Sequence, residues 1–279
     1  MKKFFSTVWS VLRYILIYAG CSILIGIFGG IYFAVKYNLD KDKIAQAVQN
    51  NAVQLTGLIS LFSLIFFLLV VKFCHKSIIG FLQFKKLSST DCFYCIGITA
   101  AFAFFSMSLI NLVINIFPEY EEVSQTVQTA FNPVGIPLII VLIPIFEEIF
   151  FRGIIFNELR SRINVTAAVI LQALIFGVFH GNILQGIYTF MLAIILALVY
   201  IWTRSIWSNI IVHITYNLLG SIVIPIIMYL TQFFIIGYLV IGGALTVFLI
   251  RRMYMRAKLL QRENAFINPV EESYNSNLN

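Results

Sequence analysis

The chain has 279 residues, of which 60% are apolar and only 11% carry a charged side chain. A soluble domain contains roughly 25% charged residues, so this chain has too few to cover a surface in water, and we predict a polytopic membrane protein. The formal net charge of +7 lies in loops and tails between apolar runs, which argues against nucleic-acid binding. Four cysteines in a chain of this length do not indicate a disulfide-stabilised secreted domain.

Eight apolar runs are long enough to cross a bilayer as helices, since a hydrocarbon core of about 30 Å requires roughly 20 residues. They cover residues 14–35, 53–71, 94–117, 133–156, 163–180, 183–203, 207–229 and 232–250. The predicted fold class is therefore all-α, a bundle of about eight transmembrane helices. We divide the chain into an N-terminal membrane region with three spans (1–132), a core with the remaining spans (133–250), and a basic and then polar tail (251–279).

Lys and Arg residues accumulate on the cytoplasmic side of a membrane and therefore indicate orientation. With the amino terminus inside, only Lys36, Lys41 and Lys43 of the 19 Lys and Arg residues fall in outside loops, and the outside loop 118–132 is acidic. Both termini are therefore predicted to be cytoplasmic.

Three further segments on the inner side have simple interpretations. His75 lies in a basic inner loop and is interpreted as solvated. Residues 77–88 have the pattern of an amphipathic segment on the inner leaflet. The polar, Asn-rich tail from about residue 262 to residue 279 is expected to be disordered.

The fourth span differs from its neighbours because it carries two carboxylates and a guanidinium, those of Glu147, Glu148 and Arg152. Each ionisable group within a span costs about 2.5–3.5 kcal/mol on insertion scales, so its presence indicates a function or a partner. Glu148 and Arg152 are four residues apart with the acid first, which is the favourable order for an ion pair on a helix. Glu147 points about 100° away around the helix and requires a different partner.

Two later spans add histidine and amide side chains. His180 lies in the fifth span, one turn beyond Phe176, and His213 and Asn217 share one face of the seventh span. Alone, each of these residues is typical of an interhelical hydrogen bond. Together with Glu147 they bring polar groups from three helices, which favours a functional cluster.

In their order along the chain, these residues resemble the CPBP family, which includes the type II CAAX prenyl endopeptidases and bacterial homologues, some of them linked to bacteriocin immunity. The resemblance rests on three motifs on separate helices: Glu147-Glu148-x-x-x-Arg152, Phe176-x-x-x-His180 and His213-x-x-x-Asn217. It covers about residues 133–220, and the N-terminal third is similar only as a generic membrane region.

The resemblance implies intramembrane proteolysis without a covalent intermediate. In that scheme Glu147, together with His180, activates a water molecule, and His213 and Asn217 stabilise the oxyanion. Elementary chemistry agrees, because donors aimed at developing negative charge are often the largest single contribution to catalysis. Both an asparagine amide and a histidine ring can donate such hydrogen bonds.

The resemblance also implies that Glu148 and Arg152 hold the architecture of the site, and it leaves the question of a metal open. We prefer a mechanism without a cofactor. The alternative is Zn²⁺ bound among Glu147, Glu148, His180 and His213, since carboxylates and imidazoles are zinc ligands. The His-Glu-x-x-His pattern of zincins does not occur in the sequence.

Simple counting along the spans leaves a difficulty of depth. A span that enters near Arg162 places His180 towards the outer side, whereas His213 falls nearer the inside. Both meet Glu147 only if the fifth span is tilted, starts deeper, or borders a water-filled cavity.

We therefore predict a CPBP-type intramembrane protease, a multi-pass protein of the cell membrane that cleaves a membrane-associated peptide or protein. The Ile- and Asn-rich composition favours a bacterial plasma membrane. Its expected partners are the peptide substrate and the lipid bilayer, with no nucleic acid. The alternative is a non-catalytic bacteriocin-immunity or adaptor protein. A proton-coupled transporter is less favoured, because the sequence shows no inverted repeat and no pair of broken helices.

Overall fold

The computed structural model describes residues 2–74 and 77–267. The interpretation of His75, and that of the tail beyond residue 267, fall outside these ranges. Within them every regular element is a helix and no strand occurs, which confirms the all-α fold class.

The first half of the chain forms three long helices with short helices between them. The elements are α1 (Lys2–Lys36), α2 (Lys41–Asn50), α3 (Ala52–Cys74), α4 (Ile78–Leu82), α5 (Ser89–Val113) and α6 (Tyr120–Thr129). Side-chain caps begin several of them. For example, Asp40 accepts a hydrogen bond from the Lys43 backbone N–H at the start of α2, which satisfies one of the unpaired donors of a helix N-terminus.

The second half contains a central helix that runs from Gly135 to Arg160, followed by five more helices. The central helix alternates between α-helical and wider π-helical turns: α7 (Gly135–Pro137), π-helical Leu138–Leu142, α8 (Ile143–Glu148), π-helical Ile149–Phe156 and α9 (Asn157–Arg160). The following helices are α10 (Val165–Phe179), α11 (Ile183–Thr203), α12 (Ile206–Leu218), π-helical Leu219–Val223 leading into α13 (Ile224–Leu230), and α14 (Ile235–Ile267).

Six helices among the described residues are long and apolar enough to cross a membrane. They correspond to the first, second, third, sixth, seventh and eighth predicted spans, and the protein is a multi-pass membrane protein. The fourth predicted span is the central helix with its π-helical turns. The fifth is α10, which has 15 residues; at 1.5 Å per residue it is about 22 Å long and does not reach across a core of about 30 Å.

Proline explains the first wide turn of the central helix. The backbone N–H of Ile143 donates to the carbonyl of Leu138, five residues earlier. Pro144 lacks an N–H, so the carbonyl of Ile139 receives no bond of the same register. The interior of the central helix therefore offers the Ile139 carbonyl as an acceptor about two turns before Glu147.

Contacts between segments join the loops at each end of the bundle. At the end that gathers the 82–88, 160–164 and 203–206 loops, Arg13 pairs with Glu158 at 2.7 Å and the Ser205 hydroxyl donates to the Lys85 carbonyl at 2.5 Å. At the other end, the Asn182 amide donates to the Glu119 carbonyl at 3.1 Å, and α6 contacts α2.

Candidate active site

The polar side chains of the core come from the central helix, from the end of α10 and from α12. Glu147 and Glu148 end the α8 turn, and Arg152 lies in the π-helical turn that follows. α12 packs against α8, which brings its polar face onto the two carboxylates. The three sequence motifs therefore meet at one place in the bundle.

The ion pair expected from spacing is present. The Arg152 guanidinium lies 2.9 Å from the Glu148 carboxylate, and both side chains are fully buried. The guanidinium carbon also lies 4.4 Å from the centre of the Phe176 ring, a cation–π contact. This contact gives the phenylalanine of the second motif a physical role beneath the ion pair.

Glu148 has two more partners, both from α12. The Nδ1 atom of His213 is 2.6 Å from its Oε1 atom, and the Asn209 amide donates to its Oε2 atom at 3.2 Å. Asn209 is fully buried and was missed by the sequence reasoning. The signal was available, because Asn209, His213 and Asn217 follow one another at intervals of four residues, the spacing of one helix face.

Glu147 lies in a different environment from its neighbour. Its side chain is 21% exposed, and its Oε2 atom is 3.4 Å from the Nε2 atom of His213. The two ring nitrogens of His213 thus face two different carboxylates. The partner that Glu147 required is an imidazole from α12.

His180 is the first residue beyond α10 rather than a residue within it. Its Nδ1 atom is 2.8 Å from the carbonyl oxygen of Phe176. A carbonyl only accepts, so Nδ1 carries the proton, and the Nε2 atom of a neutral ring keeps a free lone pair. Because α10 is short, His180 reaches the depth of the core, and this resolves the difficulty raised by counting along the spans.

Asn217 uses the carbonyl that Pro144 leaves free. Its amide nitrogen donates to the Ile139 oxygen at 2.8 Å. An amide has two N–H groups, so one hydrogen bond fixes the orientation of the side chain and the second N–H stays available. The wide turn of the central helix therefore positions a donor on α12.

One cavity of about 840 Å³ joins these groups. Glu147, His180, His213 and Asn217 all line it, whereas Glu148, Arg152 and Asn209 lie behind its wall. The structure thus places the four candidate catalytic residues around one space and the two architectural residues outside it. A volume of this size lies within the range of ligand-binding pockets.

The cavity is lined by further hydroxyl and amide groups that no sequence motif marked. The Tyr216 hydroxyl lies 3.0 Å from the Ser106 hydroxyl, and the Tyr188 hydroxyl lies 3.5 Å from that of Tyr120. Burial raises the pKa of the Tyr120 phenol, so this group stays neutral. Gln185 also lines the cavity.

The described residues show no assembled zinc site. In residues 2–74 and 77–267, no group of three or more His, Cys, Asp or Glu side chains is placed to hold a metal ion. Glu148 is already engaged by Arg152, His213 and Asn209. We therefore derive no step through a metal.

Comparison with known proteins supports the resemblance predicted from the three motifs. The family described as "Type II CAAX prenyl endopeptidase Rce1-like" matches residues 129–219. The protein named "Putative membrane peptidase YdiL" of Bacillus subtilis (strain 168) is 32% identical over 115 residues, which is 39% of this chain and 47% of that protein. The chain thus matches about half the length of this relative. No solved structure matches the fold.

The matched segment contains all three motifs and also Asn209. The resemblance predicted from those motifs is confirmed: residues 129–219 of this membrane protein are similar to the type II CAAX prenyl endopeptidase Rce1-like family.

Proposed function

We propose that the protein is an intramembrane endopeptidase that hydrolyses a membrane-associated peptide by a water molecule activated by Glu147 and His180. The observation that carries this proposal is the convergence of Glu147, His180, His213 and Asn217 on one cavity. The similarity of residues 129–219 to a prenyl endopeptidase family supports the same reaction class.

Water activation requires a proton acceptor that contacts the cavity. Glu147 is such a group, since its carboxylate is part exposed and lines the cavity. His180 offers a lone pair on Nε2, because its Nδ1–H is committed to the Phe176 carbonyl. A water held between the two loses a proton as it attacks the carbonyl carbon of the substrate, and the same proton then goes to the leaving amine.

Stabilising the tetrahedral intermediate requires donors near the developing negative charge. Asn217 has one N–H left after its bond to Ile139. His213 lies between Glu147 and Glu148, with its Nδ1 atom facing Glu148 and its Nε2 atom facing Glu147. Its Nε2–H turns from Glu147 to the oxyanion as that charge forms.

The lining of the cavity favours an uncharged stretch of peptide over a chain end. Among the described residues, no Lys or Arg lines the cavity, so a free terminal carboxylate would find no cation there. The hydroxyl and amide groups around Tyr188, Tyr216 and Gln185 can instead bind the main chain of an internal segment. A bacterial plasma membrane is the setting we propose for this reaction.

The test uses the purified full chain, a library of quenched fluorescent peptides, and the variant Glu147→Gln. We expect its cleavage rate to fall by about 10²–10⁴-fold, the usual contribution of a general base. Glu121→Gln is the matched control, because Glu121 makes the same change of a carboxylate to an amide on an exposed face of α6.

Two results would count against the proposal. Full cleavage by Glu147→Gln would remove Glu147 from the chemistry. Peptide binding without cleavage in the unsubstituted protein would instead favour the non-catalytic immunity or adaptor role.

A further inference from the structure

We propose that the cavity is entered from the extracytoplasmic face of the membrane, so that the substrates are peptide segments presented on the outer surface. This inference rests on the proposed function for its substrate and on separate observations for its direction.

The mouth lies at the end of the bundle that holds α6 and the turn after α13. From His213 the lining continues along α12 and α13 to Tyr229 and Gln232, a path of about 25 Å at 1.5 Å per residue. The opposite wall at this level is α6, which contributes Ser124 and Gln128. Tyr229, Gln232 and Gln128 are exposed, so the cavity is open where these side chains meet.

The opposite end of the cavity is closed. Glu148, Arg152 and Asn209 lie directly behind the wall and are fully buried. Beyond them Phe156 and Tyr200 are also fully buried. No residue of the 82–88, 160–164 or 203–206 loops is among those that line the cavity.

The charges at the two ends indicate which end faces the cytoplasm. The closed end carries most of the basic residues of the described chain, including Arg13, Lys85, Arg160, Arg162, Arg204 and Arg256. Contacts between loops show that this is one surface, since Arg13 and Arg162 both pair with Glu158. Cytoplasmic loops are enriched in Lys and Arg, which places the closed end inside.

The mouth end has the opposite character. The short helices there carry acidic residues that outnumber their basic ones, with Asp40, Asp42, Glu119, Glu121 and Glu122 against Lys36, Lys41 and Lys43. The packing of α2 against α6 joins these two loops into one outer surface. The packing therefore shows at which end the cavity opens, and the charge distribution places that end outside.

The direction narrows the class of substrate. A bond cleaved in this cavity must belong to a segment that descends from the outer surface into the outer half of the membrane. Exported peptides and the outer ends of membrane-anchored proteins satisfy this requirement, whereas a peptide confined to the cytoplasm does not.

The orientation can be measured with single cysteines in a background where Cys21, Cys74, Cys92 and Cys95 are replaced. Gln232→Cys and Gln128→Cys report on the mouth, and Lys86→Cys, which is exposed at the closed end, is the matched control. Sealed right-side-out and inside-out membrane vesicles are treated with a membrane-impermeant maleimide. We expect the mouth cysteines to be labelled only in right-side-out vesicles and Lys86→Cys only in inside-out vesicles.

The opposite pattern, with the mouth cysteines labelled only in inside-out vesicles, would overturn the inference. Labelling of Gln128→Cys in purified protein with a bulky maleimide provides a second measurement, since it should raise the KM for peptide cleavage by obstructing the mouth. An unchanged KM after complete labelling would show that substrates enter elsewhere. Active Glu147→Gln protein would defeat the proposed function but would leave the labelling pattern as a separate measure of orientation.

Discussion

The closed half of the bundle around Glu148 and the open half around Glu147 differ, although the two carboxylates are adjacent in the chain. Glu148 is fully buried and has three polar partners, Arg152, His213 and Asn209. Glu147 is part exposed, lies 3.4 Å from the Nε2 atom of His213, and lines the cavity. A rotation of about 100° around one helix separates these environments.

The comparison shows how a membrane site can combine rigidity with reactivity. Buried charges that pair with one another hold the side chains of the closed half in fixed positions. A carboxylate with one polar partner and access to a cavity is available for proton transfer. His213 contacts both carboxylates, so it connects the supporting half of the site to the reactive half.

Breaking the ion pair should have the largest effect. Arg152→Leu leaves Glu148 buried without its cation, which we expect to lower the free energy of unfolding by about 3–5 kcal/mol. Thermal unfolding in detergent measures this change. Arg162→Leu is the matched control and should lower stability less, because its partner Glu158 still pairs with Arg13 at 2.7 Å.

The double variant Glu148→Gln with Arg152→Leu sharpens the same test. It removes both charges, so we expect it to be more stable than Arg152→Leu alone. Equal stability of the Arg152→Leu and Arg162→Leu variants would contradict the view that Glu148 requires Arg152 as its buried counter-charge.

Removing the free N–H of Asn217 should lower the cleavage rate more than it lowers the stability of the fold. Asn217→Ala should lower kcat by about 10²–10³-fold, the usual loss of one oxyanion donor. The accompanying loss of its bond to Ile139 should cost stability only about 1 kcal/mol. Asn111→Ala, which also changes an amide of the cavity lining, is the control and should keep its kcat. A normal kcat for Asn217→Ala would remove this residue from the oxyanion site.

Substitution of Asn209 tests whether the hydrogen bonds of Glu148 in the closed half affect the reaction in the open half. Asn209→Ala removes one hydrogen bond to the Glu148 carboxylate, worth about 1.5–3 kcal/mol for a charged acceptor. We expect a decrease in kcat of about tenfold with an unchanged KM, because Asn209 does not line the cavity. Asn209→Asp should reduce kcat further, since it places a second carboxylate beside Glu148. If KM rises instead, Asn209 does not act through Glu148.

Removing metal ions should have the smallest effect. Glu148 is fully engaged by protein groups, and no set of three ligands is assembled among the described residues. We therefore expect peptide cleavage to be unchanged by EDTA or by 1,10-phenanthroline. A loss of cleavage that Zn²⁺ restores would make Glu147 a metal ligand and would replace the mechanism proposed above.

Much of this protein could be predicted from local sequence patterns. Composition alone identifies a membrane protein, because few charges cannot cover a surface in water. The pair Glu148–Arg152 follows from the spacing of one helix, and it is present. Six of the eight predicted spans are long apolar helices, since length and hydropathy are properties of a single segment.

The remaining features depend on contacts between segments, and only the tertiary structure decided them. The shortness of α10 places His180 at the depth of Glu147, and the packing of α12 against α8 brings Asn209 onto Glu148. A proline reveals a missing N–H in the sequence, but only packing shows that Asn217 uses the free carbonyl. Local patterns report what one helix can do, whereas a cavity and its open end arise from the spaces that several helices leave between them.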